Sequence, residues 1–191
     1  MTAHDSNRHP AIRLGCERLE ARENPAGNVI TTILPDGVLY IRGDALDNRV
    51  SVQQYANGDL FAYGVAGTTV NGQSMVYLGN GYPTGVAFVM DAGNDLLEMI
   101  GVRTGGGIWG QMGNENDGLA LYNVMAGALQ PMMEGGDDVV VTDSVYVSGY
   151  CAINGGTGFD TIDYRTYGIW APSFFALPNM EKQVGGPYGY Y

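Results

Sequence analysis

Five aspartates carry the chemistry open to this chain. Asp95, Asp117, Asp138 and Asp160 recur at intervals of 22, 21 and 22 residues, and Asp137 adjoins the third of them. Carboxylates in such a series can hold hard cations through oxygen ligands. They can also act as acid and base on a glycosidic bond, or turn back to cap backbone N–H groups. The elements around them decide between these uses.

The surrounding segments align on the aspartate: "MDAGNDLLE" (Met90–Glu98), "MGNENDGLA" (Met112–Ala120), "MEGGDDVVV" (Met133–Val141) and "GGTGFDTID" (Gly155–Asp163). Two residues beyond each aspartate stand Leu97, Leu119, Val140 and Ile162, and seven beyond stand Val102, Val124, Val145 and Tyr167. Gly105, Gly127 and Ser148 follow ten residues on, and two before the aspartates lie Gly93, Glu115, Gly136 and Gly158. A fixed period of this length marks a solenoid. Runs such as "VVVTDSVYV" alternate apolar and polar residues as half-buried strands do. One unit cannot bury its own apolar face, whereas stacked units bury a continuous column.

The predicted fold is therefore all-β, a short parallel β-helix of about 22 residues per turn. Residues 90–170 form its repeats. Residues 27–89 lack the register and read as irregular strands or first turns, with hairpin signals at Asn57-Gly58 and Asn71-Gly72. Residues 171–191 break the pattern with Pro172 and Pro178 and read as an aromatic cap. Residues 1–26 form a separate N-terminal segment.

Stacking places equivalent residues about 4.8 Å apart. Ionised neighbours at that distance repel by about 1 kcal/mol in water and about 3–4 kcal/mol at an effective dielectric of 20. Three arrangements relieve this. The side chains splay into solvent, they turn inward to cap backbone N–H groups of their own turn, or cations sit between the turns.

"GGTGFDTID" fits the nine-residue template G-G-x-G-x-D-x-U-x, with U large and apolar, and so resembles the calcium-binding repeats of RTX-type proteins. The other three copies are degenerate, with Glu115, Met133 and Glu134 where template glycines belong. The resemblance implies calcium between the last two turns, held by Asp137, Asp138 and Asp160 with nearby carbonyls. Asp117 and Asp95 are the corresponding candidates one and two turns earlier.

A second resemblance lies in "RLGCERLEARENPA", Arg13–Ala26. Leu19, Glu20, Arg22, Pro25 and Ala26 follow the L-E-x-R-x-x-P-A pattern, which is similar to the N-terminal motif of planctomycete extracellular proteins. It implies export and an extracellular or cell-surface location. The charge restricts partners further. The chain carries a net −11, and between Asp91 and Asp163 eleven carboxylates face one base, Arg103. Such a field attracts cations and repels nucleic acid. No apolar run reaches the length of a membrane span. Two cysteines, Cys16 and Cys151, make no disulfide framework or zinc site.

An enzyme that cleaves acidic polysaccharide by elimination needs a base and cationic groups for the uronate. Arg103, Arg165 and Lys182 are too few for that task, and the aspartates fall in turns rather than on one strand face. His4 and His9 lie in the N-terminal segment. The expectation is a non-enzymatic surface solenoid with a structural or adhesive role, stabilised by calcium, whose partners are cell-surface polysaccharides or other surface proteins. The alternative is a carbohydrate-active β-helix enzyme or a carbohydrate-binding module, for which an aromatic row on one outer face would argue.

Overall fold

The computed structural model describes residues 27–171, 174–176 and 178–185. The N-terminal segment, with Leu19–Ala26, its histidines and Cys16, lies outside them, as does the end of the aromatic tail.

Strands β1 (Asn28–Ile33) and β2 (Val38–Arg42) form an antiparallel hairpin. β3 (Arg49–Gln54) and β4 (Asp59–Gly64) form a second, closed by Asn57-Gly58 with Gly58 at φ 91°. Asn71 and Gly72 both have positive φ, as a tight hairpin turn requires. They link β5 (Thr69–Val70), which pairs with β1, to β6 (Met75–Asn80), which pairs antiparallel with β4. From β2 and β3 onward the chain coils. β2 lies parallel to β7 (Gly85–Val89), and β3 lies parallel to β8 (Leu96–Ile100). The hairpins therefore belong to an incomplete first coil and close one end of the stack.

Each later coil repeats the same path. β9 (Gly107–Gln111), β12 (Ala128–Met132) and β15 (Tyr150–Ala152) extend the first sheet. β10 (Gly118–Tyr122), β13 (Val139–Asp143) and β16 (Thr161–Tyr164) extend the second. Short strands β11 (Met125–Ala126), β14 (Val145–Val147) and β17 (Ile169–Trp170) make a third. This is a parallel β-helix of about four turns at about 22 residues each, with no helix among the described residues. The described part of the tail continues the stack. β18 (Phe174–Ala176) pairs with β15 and β19 (Lys182–Val184) with β16, so both cover an edge by adding a rung.

The core is a set of columns. Leu39, Val86, Ile108, Leu129 and Cys151 stack inside the first sheet, and Val50, Leu97, Leu119, Val140 and Ile162 inside the second, all within 1% exposure. Burial pushes the Cys151 thiol up to about 12, the behaviour of an inert apolar filler. One expected member is corrected. The column of Val102, Val124 and Val145 continues with Ile169, while Tyr167 is 67% exposed. Arg165–Gly168 form a turn, closed by the Gly168 N–H on the Arg165 carbonyl, that delays the third strand of the last coil.

Candidate functional site

The four repeat aspartates lie at the corner between the first and second sheets, one residue before each strand of the second sheet. They point inward, with exposures of 3%, 4%, 1% and 0% for Asp95, Asp117, Asp138 and Asp160. Each carboxylate reaches across to the coil before it. Asp117 Oδ1 accepts the Asp95 N–H at 2.8 Å, Asp138 Oδ1 the Asp117 N–H at 2.7 Å, and Asp160 Oδ1 the Asp138 N–H at 2.9 Å. Of the three arrangements open to the aspartates, this is the inward one. The N–H it caps belongs to the preceding coil, however, not to the aspartate's own turn.

The ladder is longer than the repeat suggested. Asp95 Oδ1 accepts the Asn48 N–H at 2.7 Å, and Glu181 Oε2 accepts the Asp160 N–H at 2.8 Å. Asn48 precedes an alternating run, as the aspartates do. The 47 residues that separate it from Asp95 include the inserted hairpins and hide its register. Glu181 follows Asp160 by 21 residues, so the period itself could have found it.

The second oxygen of each aspartate is the unusual feature. Oδ2 of Asp95, Asp117, Asp138 and Asp160 is buried with no hydrogen-bond partner among the described residues. Loss of water, partly offset by the accepted N–H and reinforced by neighbouring carboxylates, pushes Asp95 and Asp117 up to about 7 and Asp138 to about 6. The same burial raises Asp160. A proton on Oδ2 leaves Oδ1 as a carbonyl-like acceptor and removes the repulsion along the column.

Met90, Met112 and Met133 explain part of the degeneracy. They stand five residues before their aspartates, where the last copy has Gly155, and all three are fully buried. The template glycine is thus replaced by an apolar side chain that fills the same corner of the core. The remaining template positions keep their backbone. Glu115 has φ 76° in the column of Gly93, Gly136 and Gly158 (118°, 135° and 139°), and Glu134 has φ 74° in the column of Gly113 and Gly156 (119° and 98°), so both keep a positive φ. At Gly158 a Cβ would run into the Gly136 carbonyl of the coil before it.

Asp137 faces the other way. It is exposed, and its Oδ1 accepts the Phe159 N–H at 2.9 Å. It belongs to an outer ladder of opposite direction, in which the Asn94 N–H donates to Asp47 Oδ1, the Asn116 N–H to Asn94 Oδ1 and the Asp137 N–H to Asn116 Oδ1. The wall of the helix therefore divides the expected calcium ligands, with Asp137 outside and Asp138 and Asp160 inside. Among the described residues no group of three His, Cys, Asp or Glu side chains converges to hold a metal ion.

A second candidate lies on the outer face of the first sheet. A groove of about 690 Å³ runs across the coils, lined by Tyr40, Trp109 and Tyr150 together with the amides Gln111, Gln130 and Asn154. Trp170 serves elsewhere, stacked on Tyr146 with ring centroids 4.4 Å apart and planes 10° from parallel.

No family model, curated protein or solved structure matches this chain. No helix among the described residues is long and apolar enough to cross a membrane.

Proposed function

We propose that this protein is a non-enzymatic, secreted or cell-surface β-solenoid with a structural and adhesive role. The observation that carries the reading is the fate of the carboxylates. Four of the five aspartates best placed by sequence to do chemistry are turned inward as acceptors for backbone N–H groups of the neighbouring coil. Such a ladder stiffens a rod and offers nothing to a substrate outside it. Export rests on the L-E-x-R-x-x-P-A resemblance of Leu19–Ala26.

Calcium belongs to the proposal as a stiffening ion at the last two coils. Its support is the pair of orphaned oxygens, Asp138 Oδ2 and Asp160 Oδ2, each of which a proton or a hard cation would complete. Two oxygens fall short of the six to eight that calcium takes, so the fit is partial and no function is routed through the ion. The test of the whole reading is accessibility on intact source cells. Protease shaving followed by immunodetection is expected to remove the protein without lysis. Full protection until lysis would contradict a surface role.

A further inference from the structure

We propose that the groove on the first sheet binds a neutral polysaccharide chain, with Trp109 as its stacking platform. This deepens the adhesive role proposed above and rests on it, because it names the class of surface polymer that the solenoid would grip.

Three features of the groove select that occupant. The first is the seat of the tryptophan. Trp109 projects from β9 and is 42% exposed, and its six-membered ring lies over two glycines of the same sheet. A Cβ at Gly85 would stand 2.9 Å from Trp109 Cη2, and one at Gly107 would stand 2.8 Å from Cε3. Any larger residue at either position would displace the ring. A fixed aromatic surface suits the apolar C–H face of a sugar ring, which gains contact area without ordering a flexible side chain.

The second feature is the polar set beside it. Gln111, Gln130 and Asn154 come from three successive coils. Gln130 offers both donors and an acceptor to hydroxyl groups, whereas Asn154 Oδ1 already accepts the Gly156 N–H and Asn179 Nδ2, which leaves its amide N–H groups as donors. Gln111 is oriented by donating to Glu134 Oε1 at 2.6 Å, which leaves its own oxygen as the acceptor toward the groove. Tyr40 and Tyr150 extend the aromatic surface on either side of Trp109. The row runs across the coils, so its subsites repeat along an extended chain.

The third feature is charge. A chain of net −11 lines this groove with no acidic or basic side chain among the described residues. A uronic-acid polymer or a nucleic acid would find no cation there and would meet the acidic field of the rest of the molecule. A neutral glycan meets neither obstacle.

The test is affinity electrophoresis of the full chain in gels cast with hydroxyethyl cellulose, galactomannan, dextran or polygalacturonate. The expected result is retardation by at least one of the three neutral glycans and none by polygalacturonate. Trp109→Ala should weaken the retardation about tenfold, a loss of about 1.4 kcal/mol, and Gln130→Ala by less. Trp170→Ala should leave it intact, and all variants should melt with the parent. Retardation by polygalacturonate alone, by no glycan, or equally by parent and a folded Trp109→Ala would each overturn the proposal. Failure of this kind in a protein that is shaved from intact cells removes the groove and leaves the surface role standing. Full protection from shaving, with glycan binding intact, does the reverse.

Discussion

Asp117 Oδ1 accepts the backbone N–H of Asp95 at 2.8 Å, and Asp117 Oδ2, also buried, has no partner among the described residues. One carboxyl group thus joins two coils through one oxygen and carries an unsolvated second oxygen. Substitution separates the two contributions. Asp117→Asn keeps the acceptor and removes the charge, and is expected to lie within about 1 kcal/mol of the parent at pH 7.5. Asp117→Ala strands the Asp95 N–H and should cost about 1–3 kcal/mol. Urea unfolding of both variants measures the difference. Equal losses would mean that charge, not the accepted N–H, matters at this position.

Acidification should stabilise the protein over a defined window. Asp95 and Asp117 have folded pKa values of about 7 and Asp138 of about 6, above the 3.8 of an unfolded aspartate. Between these limits the folded chain binds more protons than the unfolded one, so stability falls as pH rises. Asp44 and Asp59 are shifted the other way, Asp44 by its hydrogen bonds against opposing desolvation and Asp59 by Asn80 and Asn57, so their contribution is lost only below the usual carboxylate range. The melting temperature is expected to rise by about 5 °C or more from pH 7.5 to pH 4.5. A flat or falling profile in that window would show that the column is not protonated.

The corner backbone makes a separate prediction. Gly158 has φ 139°, and a side chain there would strike the Gly136 carbonyl. Gly158→Ala should destabilise by about 1–3 kcal/mol or more. Glu115 already holds φ 76° with a side chain. Glu115→Gly relieves that strain and is expected to be neutral or stabilising by about 0.5–1 kcal/mol. Thermal melts of the pair read out both signs.

Calcium is tested by calorimetry at two pH values. At pH 8, where Asp138, with its pKa of about 6, has lost its proton, saturable heat is expected. Stabilisation of about 2.7 kcal/mol is also expected at a hundredfold excess over Kd. At pH 5 a proton on Asp138 competes with the ion and the effect should be smaller. Asp160→Asn should abolish most of the heat. Absence of heat at both pH values removes calcium from the proposal and leaves the ladder in place.

Much of the fold could be read from the sequence because a solenoid writes its period directly into the chain. The Leu97, Leu119, Val140 and Ile162 column is buried and in register, as their spacing from the aspartates required. Tyr167 failed because one turn is longer, and a period cannot reveal a local insertion until the strands are paired. Asn48 was hidden by the hairpins inserted after it. The direction of the aspartates was not legible either. Inward and outward carboxylates share one spacing, and neighbours such as Asp137 and Asp138 take opposite sides of the wall. The groove escaped because Tyr40, Trp109 and Tyr150 belong to different coils and meet only when the coils stack.

The most direct test of the central claim is a carbon-13 NMR titration of the aspartate carboxyl groups in the folded protein. Asp95 and Asp117 are expected to titrate near pH 7. Titration of both near or below 3.8 would contradict it, because carboxylates that ionise so readily are either solvated or neutralised by a bound cation, not buried as protonated braces between coils.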